Sequence, residues 1–262
     1  MKFGVFICGL VLLTPPAFAA TGDQIGTLIE VEGSATISHV SGERETAMND
    51  APVALDDVIE TASDGRALIQ FIDGTELIIS ANTKMTVDEF VYDPDNSANN
   101  KADYSILRGT FLYTSGLIAK RPNPDVTVNT AYGSIGIRGT QFWGGPIDGA
   151  FGLLVNDGAV TIKNAAGQVS LAKGEGTSIP GFRTAPGVVK KWSDAKIGRA
   201  VSTISLKNAG LAKERIAKRA ELNKRLAVER KQRLMERRGD LERPGVKPRV
   251  KALRKWQRPA AE

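Results

Sequence analysis

The sequence predicts an all-β domain, a sandwich, barrel or roll, followed by a basic α-helical tail. Three observations predict it. From Gly26 to about Ile179, Gly and Asp/Asn turn signals recur roughly every ten residues between short β-branched runs, the spacing of strands joined by turns. Asp73-Gly74 lies between two apolar runs in Ala67 to Ile79, and such a pair can take the positive φ values of a type I′ hairpin turn. The charge then changes sign. Residues 1–195 hold 14 Lys/Arg and 22 Asp/Glu, and residues 196–262 hold 21 and 7. An acidic body of −8 therefore precedes a tail of +14, within a chain of +6.

Residues 1–19 read as a secretory signal. Lys2 gives a basic start, Phe3 to Leu13 is apolar and uncharged, Thr14-Pro15-Pro16 stops a helix, and Ala17-Phe18-Ala19 offers the small residues of a cleavage site before Ala20. A spanning helix needs about 20 apolar residues for about 30 Å of hydrocarbon, and the prolines interrupt a shorter run. Later apolar stretches, Leu77-Ile78-Ile79 and Phe151 to Val155, are strand-sized. The mature chain is expected to be periplasmic or secreted and not transmembrane. Cys8, the single cysteine, leaves with the signal, which removes disulfides, thiolate nucleophiles and thiolate metal sites. What remains is long enough to bury its own core.

The elements follow in order. Val31-Glu32-Gly33-Ser34-Ala35-Thr36-Ile37 opens the domain. Ala67 to Ile79 forms a hairpin turning at Asp73-Gly74. Asp93 to Lys101, rich in Asn and Asp, is a loop between two halves. Leu153 to Ile162 reads as a hairpin turning at Asp157-Gly158, with another turn at Asn164 to Gly167.

Five segments in this order resemble the FecR domain across about residues 24–180. They are Gly26 to Gly33, Leu55-Asp-Asp-Val-Ile-Glu-Thr61, Ala67 to Leu77, Leu107-Arg-Gly-Thr-Phe111, and Val126-Thr-Val-Asn-Thr-Ala-Tyr-Gly-Ser-Ile-Gly-Ile-Arg-Gly-Thr-Gln-Phe142. Val155 to Ile162 and Ala172 to Glu175 close the domain. The resemblance implies an antiparallel β-sandwich or β-roll, and a family signature of structural character at Asp57, Thr61, Asp73, Gly74, Gly109, Thr130, Arg138, Gly139, Thr140 and Phe142. Ala131 stands where the family pattern has Pro. FecR regulators carry a cytoplasmic segment and a membrane helix before this domain. A signal at Met1 leaves no such segment, so an anti-sigma role is not expected of this chain alone.

Arg138 admits two uses. Its five-donor fork could tie carbonyls or a carboxylate, with Gly139 permitting close backbone approach, or it could receive an anionic ligand. The absence of other cations nearby favours the structural use.

Catalytic patterns are sparse. His39, the only histidine, cannot build a His-rich metal site and reads as an exposed strand or turn residue. Ser170-Leu-Ala-Lys173 matches Ser-x-x-Lys, but it lies in a short strand and has no partner motifs. Asp93-Pro-Asp95-Asn96 with Asn99 and Asn100 offers calcium-type oxygens, without the central Gly and closing Glu of a calcium loop. No catalytic residue, metal ligand or cofactor is expected, and the chain is not expected to be an enzyme.

The expected layout is a signal over 1–19, a β domain over 20–182, a linker over 183–195, a basic charged helix over 196–238 and a basic Pro-containing tail without fixed structure over 239–262. Glu214, Lys218, Glu221, Arg225, Glu229, Arg233 and Glu236 alternate in sign at helical spacing. Ile197, Val201, Ile204 and Leu211 form an apolar seam that could dock on the β body. A tail of +14 over 196–262 suits anionic lipid or polysaccharide; nucleic acid fits the charge but not export. The expected function is a binding or signalling module that engages an envelope protein or glycan. The alternative is a structural protein that assembles through its C-terminal helix.

Overall fold

Short runs that alternate buried and exposed residues, each ended by Gly, Asp or Asn, fold into sixteen strands of one curled sheet. The computed structural model describes residues 24–219, then 221, 225, 228 and 232. The signal over 1–19 and the tail over 239–262 lie outside these residues, as does most of the expected helix beyond 219. Strands β1 (Gln24–Glu32), β2 (Ala35–Ser38), β3 (Arg44–Thr46), β4 (Pro52–Ala54), β5 (Val58–Thr61) and β6 (Arg66–Phe71) come first. Next come β7 (Glu76–Ile79), β8 (Lys84–Val91), β9 (Lys101–Arg108), β10 (Phe111–Thr114) and β11 (Asp125–Thr130). The chain continues with β12 (Gly133–Ile147), β13 (Ala150–Asn164), β14 (Gly167–Ala172), β15 (Glu175–Ile179), β16 (Lys190–Lys191) and the helix α1 (Asp194–Ile204).

The sheet order is β3-β2-β5-β8-β9-β11-β12-β10-β7-β6-β1-β4. Strand β12 is shared by two leaves. Its first part pairs with β11, and its last part pairs with β10. The leaves face one another across one core: Phe71 of the second leaf meets Phe90 and Tyr104 of the first, with ring centroids 5.6 and 5.1 Å apart. The pairing is antiparallel except between β9 and β11. That exception follows from β10, which carries the chain across the second leaf, so that β11 re-enters the first leaf in the direction of β9.

Curling a sheet interrupts its hydrogen-bond ladder wherever a strand leaves one leaf for the other, and buried hydroxyls fill those gaps. Along one border the chain crosses at Gly33-Ser34, Ala62 to Gly65, Ser80 to Thr83 and Gly109-Thr110. There the Thr61 hydroxyl donates to the Ser80 carbonyl and accepts from the Thr83 amide at 3.0 Å. The Thr83 hydroxyl accepts from the Thr110 amide at 3.1 Å and donates to the Thr110 carbonyl at 3.2 Å. All four residues are buried. At the opposite border β12 and β13 themselves bend. The Thr140 amide donates to the Ser115 hydroxyl at 2.8 Å, and the Thr140 hydroxyl donates to the Asp157 carbonyl. Leaving any one of these groups unpaired would cost about 1–3 kcal/mol.

Two turns differ from the sequence reading. Asp157-Gly158 is not a hairpin turn but the bend of an unbroken β13, with Gly158 at φ +75°. At Asp73-Gly74 only the glycine takes a positive φ, +83°, because the Asp73 carboxylate turns inward. It accepts from the Thr75 amide and hydroxyl, each at 2.9 Å, and from the Ile118 amide at 3.2 Å. One acid thereby fixes both the β6–β7 turn and the segment after β10.

The outer face of the second leaf is covered. Segment 183–195, read as a linker, contains β16 and the buried Trp192, and the compact unit runs on to Ala212. Helix α1 begins at the Ser193 cap, whose side chain accepts from the Lys196 amide. It packs Ile197, Ala200 and Ile204 on Trp143, Leu154 and Trp192. The Trp143 indole donates to Thr203 Oγ1 at 3.0 Å. The docked stripe is turned from the expected one: Val201 and Leu211 are 42% and 53% exposed, while Ala200 and Ala212 are buried. A small residue at 200 is what fits beside two indoles. The helix also stops at Ile204, and a second helical stretch starts at 209. Among the described residues no helix is long and apolar enough to cross a membrane.

From Lys213 a second unit begins. Within it Glu214 pairs with Lys218 at 2.7 Å and Glu221 with Arg225 at 3.4 Å. Such exposed i,i+4 pairs contribute about 0.2–0.5 kcal/mol each.

A Cβ at Gly109 (φ +97°) would lie 2.1 Å from Thr83 Oγ1, whereas at Gly42 (φ +86°) it would meet nothing within 4 Å. Gly42→Ala should therefore cost only the conformational strain, about 1–2 kcal/mol. Gly109→Ala should cost at least 2 kcal/mol more, about the loss of the Thr83 hydrogen bonds. Urea unfolding of both variants measures the difference.

Candidate functional site

The signature residues separate into two groups. Most sit where the chain changes leaf. The Asp57 carboxylate, buried at the β4–β5 crossing, accepts from the Ala54 amide at 2.8 Å. Thr61 and Gly109 hold one border, and Asp73, Gly74, Gly139 and Thr140 hold the other. The Gly139 amide donates to the Ala119 carbonyl at 3.0 Å. Thr130 closes the β11–β12 turn, donating to the Gly133 carbonyl at 2.8 Å and accepting from the Tyr132 amide at 3.1 Å. Phe142 is in the core, its ring 5.4 Å from Tyr113 and 5.8 Å from Phe111.

Arg138 stands apart. It is exposed and makes no hydrogen bond or ion pair among the described residues. The expected carbonyl-tying role belongs to another arginine, Arg121. Its guanidinium donates to the carbonyls of Ser97, of Asn100 at 3.2 Å and of Asn123 at 3.3 Å, which anchors the polar loop. The sequence beside Arg121, Pro122-Asn123-Pro124, marks a turn but does not reveal its partners, which lie 21 and 24 residues earlier as well as at Asn123. Strand alternation, by contrast, puts Arg138 on the outer face with Ser134 and Gly136, which excludes it from the interior.

Arg138 lines a groove of about 560 Å³ on the outer face of the first leaf, with Thr127, Gly136, Thr161 and Ser170. Cross-strand register places Asp103, Thr127, Gly136, Thr161 and Ser170 in one row. Thr161 and Ser170 share a hydrogen bond of 2.9 Å. Pro122, Pro124 and Asp125 also line it. Burial raises the Asp103 carboxyl above its ordinary range against the lowering bond from Thr127, and the charges of Asp125, Glu89 and Asp88 raise it further.

The other candidates are engaged elsewhere. Ser170 faces Thr161, while Lys173 pairs with Asp157 at 3.1 Å. In the polar loop Asp93 Oδ1 accepts from the amides of Asp95 and Asn96 at 2.9 and 3.1 Å, and Asn100 pairs with the Asp93 backbone. Among the described residues no three His, Cys, Asp or Glu side chains are grouped to hold a metal ion.

His39 departs from its expectation. Its side chain is 8% exposed and bridges Asp57 at 2.8 Å and Glu45 at 3.4 Å. It ties the β2–β3 turn to the β4–β5 crossing.

A family model described as FecR protein matches residues 57–161. The curled sheet extends beyond the matched segment on both sides. Two crystal structures of a candidate anti-sigma factor from Parabacteroides distasonis ATCC 8503 are similar, at 16% and 14% identity and TM-scores of 0.44 and 0.43. Each likeness covers 54% of this chain and 62% of the other, so the chain spans less than two thirds of their length. A structure described as a cell surface anchoring domain shares 25% identity over 24% of this chain and 83% of its own, with a TM-score of 0.23. No curated protein matches the sequence significantly.

Burial lowers the His39 pKa, but the hydrogen bonds and charges of Asp57 and Glu45 outweigh it, so the folded value is raised above 6.5. The proton binds the folded chain more tightly. This contribution is therefore fully present below pH about 6.5 and lost as pH rises through the folded value. His39→Gln should lower the melting temperature most near pH 5, with the gap to the unmodified protein narrowing at higher pH. A gap independent of pH would contradict the assignment.

Proposed function

We propose that the protein is a non-catalytic binding and signalling module of the cell envelope, built on a FecR-type β-roll. The open face of the first leaf engages a protein or glycan partner, and the basic segment holds the module against anionic lipid or polysaccharide. The observation that carries this reading is the asymmetry of the two outer faces. Helix α1 and Trp192 cover one, whereas the other presents short hydroxyl and amide side chains around an unpaired Arg138. The FecR family match and the signal-like start support an envelope location. The resemblance to candidate anti-sigma factors supplies the signalling part of the proposal.

The structure also says where a tail can be removed. Helix α1 belongs to the β body, so a cut at 196 would strip Ala200 and Ile204 from Trp143. A cut after Ala212 follows the boundary between the units and removes 18 Lys/Arg and 7 Asp/Glu, a net +11. Removing residues 213–262 should abolish cosedimentation with phosphatidylglycerol vesicles at low salt. The full chain should release as ionic strength rises past 0.15 M, where charges are screened beyond about 8 Å. Equal sedimentation of both chains would refute the tether. Light scattering on the same samples tests the assembly alternative, which requires oligomers that depend on residues 213–262.

A further inference from the structure

The groove on the first leaf contains a glycine that the fold does not require. In β12 and β13, Gly133, Gly139 and Gly158 have positive φ, and Cβ atoms at Gly144, Gly145 and Gly152 would approach neighbours to 2.5–2.8 Å. Gly136 has neither constraint: its φ is ordinary for a strand, and the nearest atom to a Cβ there is the Thr161 carbonyl oxygen at 3.9 Å. A Cβ there is unobstructed, and a β-branched residue would favour the strand. Glycine inside a strand marks a bulge, a tight bend or a close approach by a ligand or another backbone, and Gly136 lies outside the register shifts of β12. Here it leaves the groove floor open between the hydroxyls of Thr127 and Thr161.

What lines the groove limits the occupant. The Arg138 guanidinium, unpaired among the described residues, is suited to bidentate contact with a planar carboxylate. Asp125 lines the same groove, and its carboxylate accepts hydrogen bonds from ligand hydroxyls. The threonine and serine hydroxyls donate or accept. No aromatic ring and no deep apolar pocket lines the groove, which disfavours lipid chains and hydrophobic peptide anchors. A ligand dense in hydroxyls that brings a carboxylate to Arg138 matches this lining.

We infer that this groove binds an acidic glycan, with Arg138 pairing a uronate carboxylate while Thr127, Thr161 and Ser170 meet sugar hydroxyls over the bare Gly136. This rests on the binding-module reading and names the ligand class of its open face. It is independent of the basic tail.

The test uses the full-length protein and tetragalacturonic acid in 0.15 M salt, with its methyl ester as the neutral comparator. Calorimetry gives the affinity, and amide NMR shifts give the location. Binding should move the amides of Thr127, Gly136, Arg138, Thr161 and Ser170. Arg138→Gln and Gly136→Val should each weaken it at least tenfold without lowering the melting temperature, Arg138→Lys should weaken it less, and the methyl ester should not compete. Shifts confined to residues beyond 212, undiminished binding by either variant, equal binding of the ester, or binding of an acidic peptide in place of the glycan would each overturn the inference. Vesicle cosedimentation of the same variants keeps the two claims apart. It should be unchanged by Arg138→Gln, and its loss in the full chain would fail the tether while leaving the groove intact.

Discussion

The hydroxyl of Thr83 is the interaction on which the rest of the domain depends. It sits where four strands change leaf, accepting from the Thr110 amide and donating to the Thr110 carbonyl, while the Thr83 amide is held by Thr61. A curled sheet cannot keep its ladder through such crossings, and the residues there are buried. Threonine suits the task because its β-branched body fits the pleat while its hydroxyl both donates and accepts. Thr140 and Ser115 repeat the device at the other border, and Asp73 extends it to a turn and a loop at once.

Fixing the borders decides what the two outer faces can be. Once β12 bends at Gly139, alternation sends Trp143 outward on the second leaf and Arg138 outward on the first. The indole has to be covered, and α1 with Trp192 covers it. Lys196 lies 4.3 Å from the Trp192 ring centroid, and Asp148 in the β12–β13 turn pairs with Lys196 at 3.0 Å and Arg199 at 2.7 Å. These two bonds hold the Asp148 carboxyl below its ordinary range. The guanidinium needs no cover and stays available. One bend thus accounts for a closed face and an open one.

Much of this was legible in the residues, for identifiable reasons. Strand periodicity and Gly/Asp punctuation are local signals, so the β body and the β13–β14 turn at Asn164 to Gly167 could be read directly. The two Arg-Gly-Thr tripeptides, at 108–110 and 138–140, mark leaf crossings, a role that only the fold makes plain. Asp157-Gly158 has the composition of a hairpin turn, but a bending strand needs the same positive φ. The role given to Arg138 falls to Arg121 because a fork finds carbonyls through tertiary proximity, which spacing does not encode. His39 was misplaced for the same reason, since its partners lie 6 and 18 residues away. The seam of α1 turned because Trp143, 60 residues before Thr203, decides which helix face can approach.

The unity of the border network is the claim with the widest consequences, since the crossings, the bend and the open groove all follow from it. A double-mutant cycle between Thr61→Val and Thr83→Val, read by urea unfolding, tests it most directly. If the two hydroxyls act as one network, the pair should deviate from additivity by about 0.5–3 kcal/mol. Strict additivity, with each variant costing its own fixed amount, would show the threonines to be separate local contacts and would contradict the account.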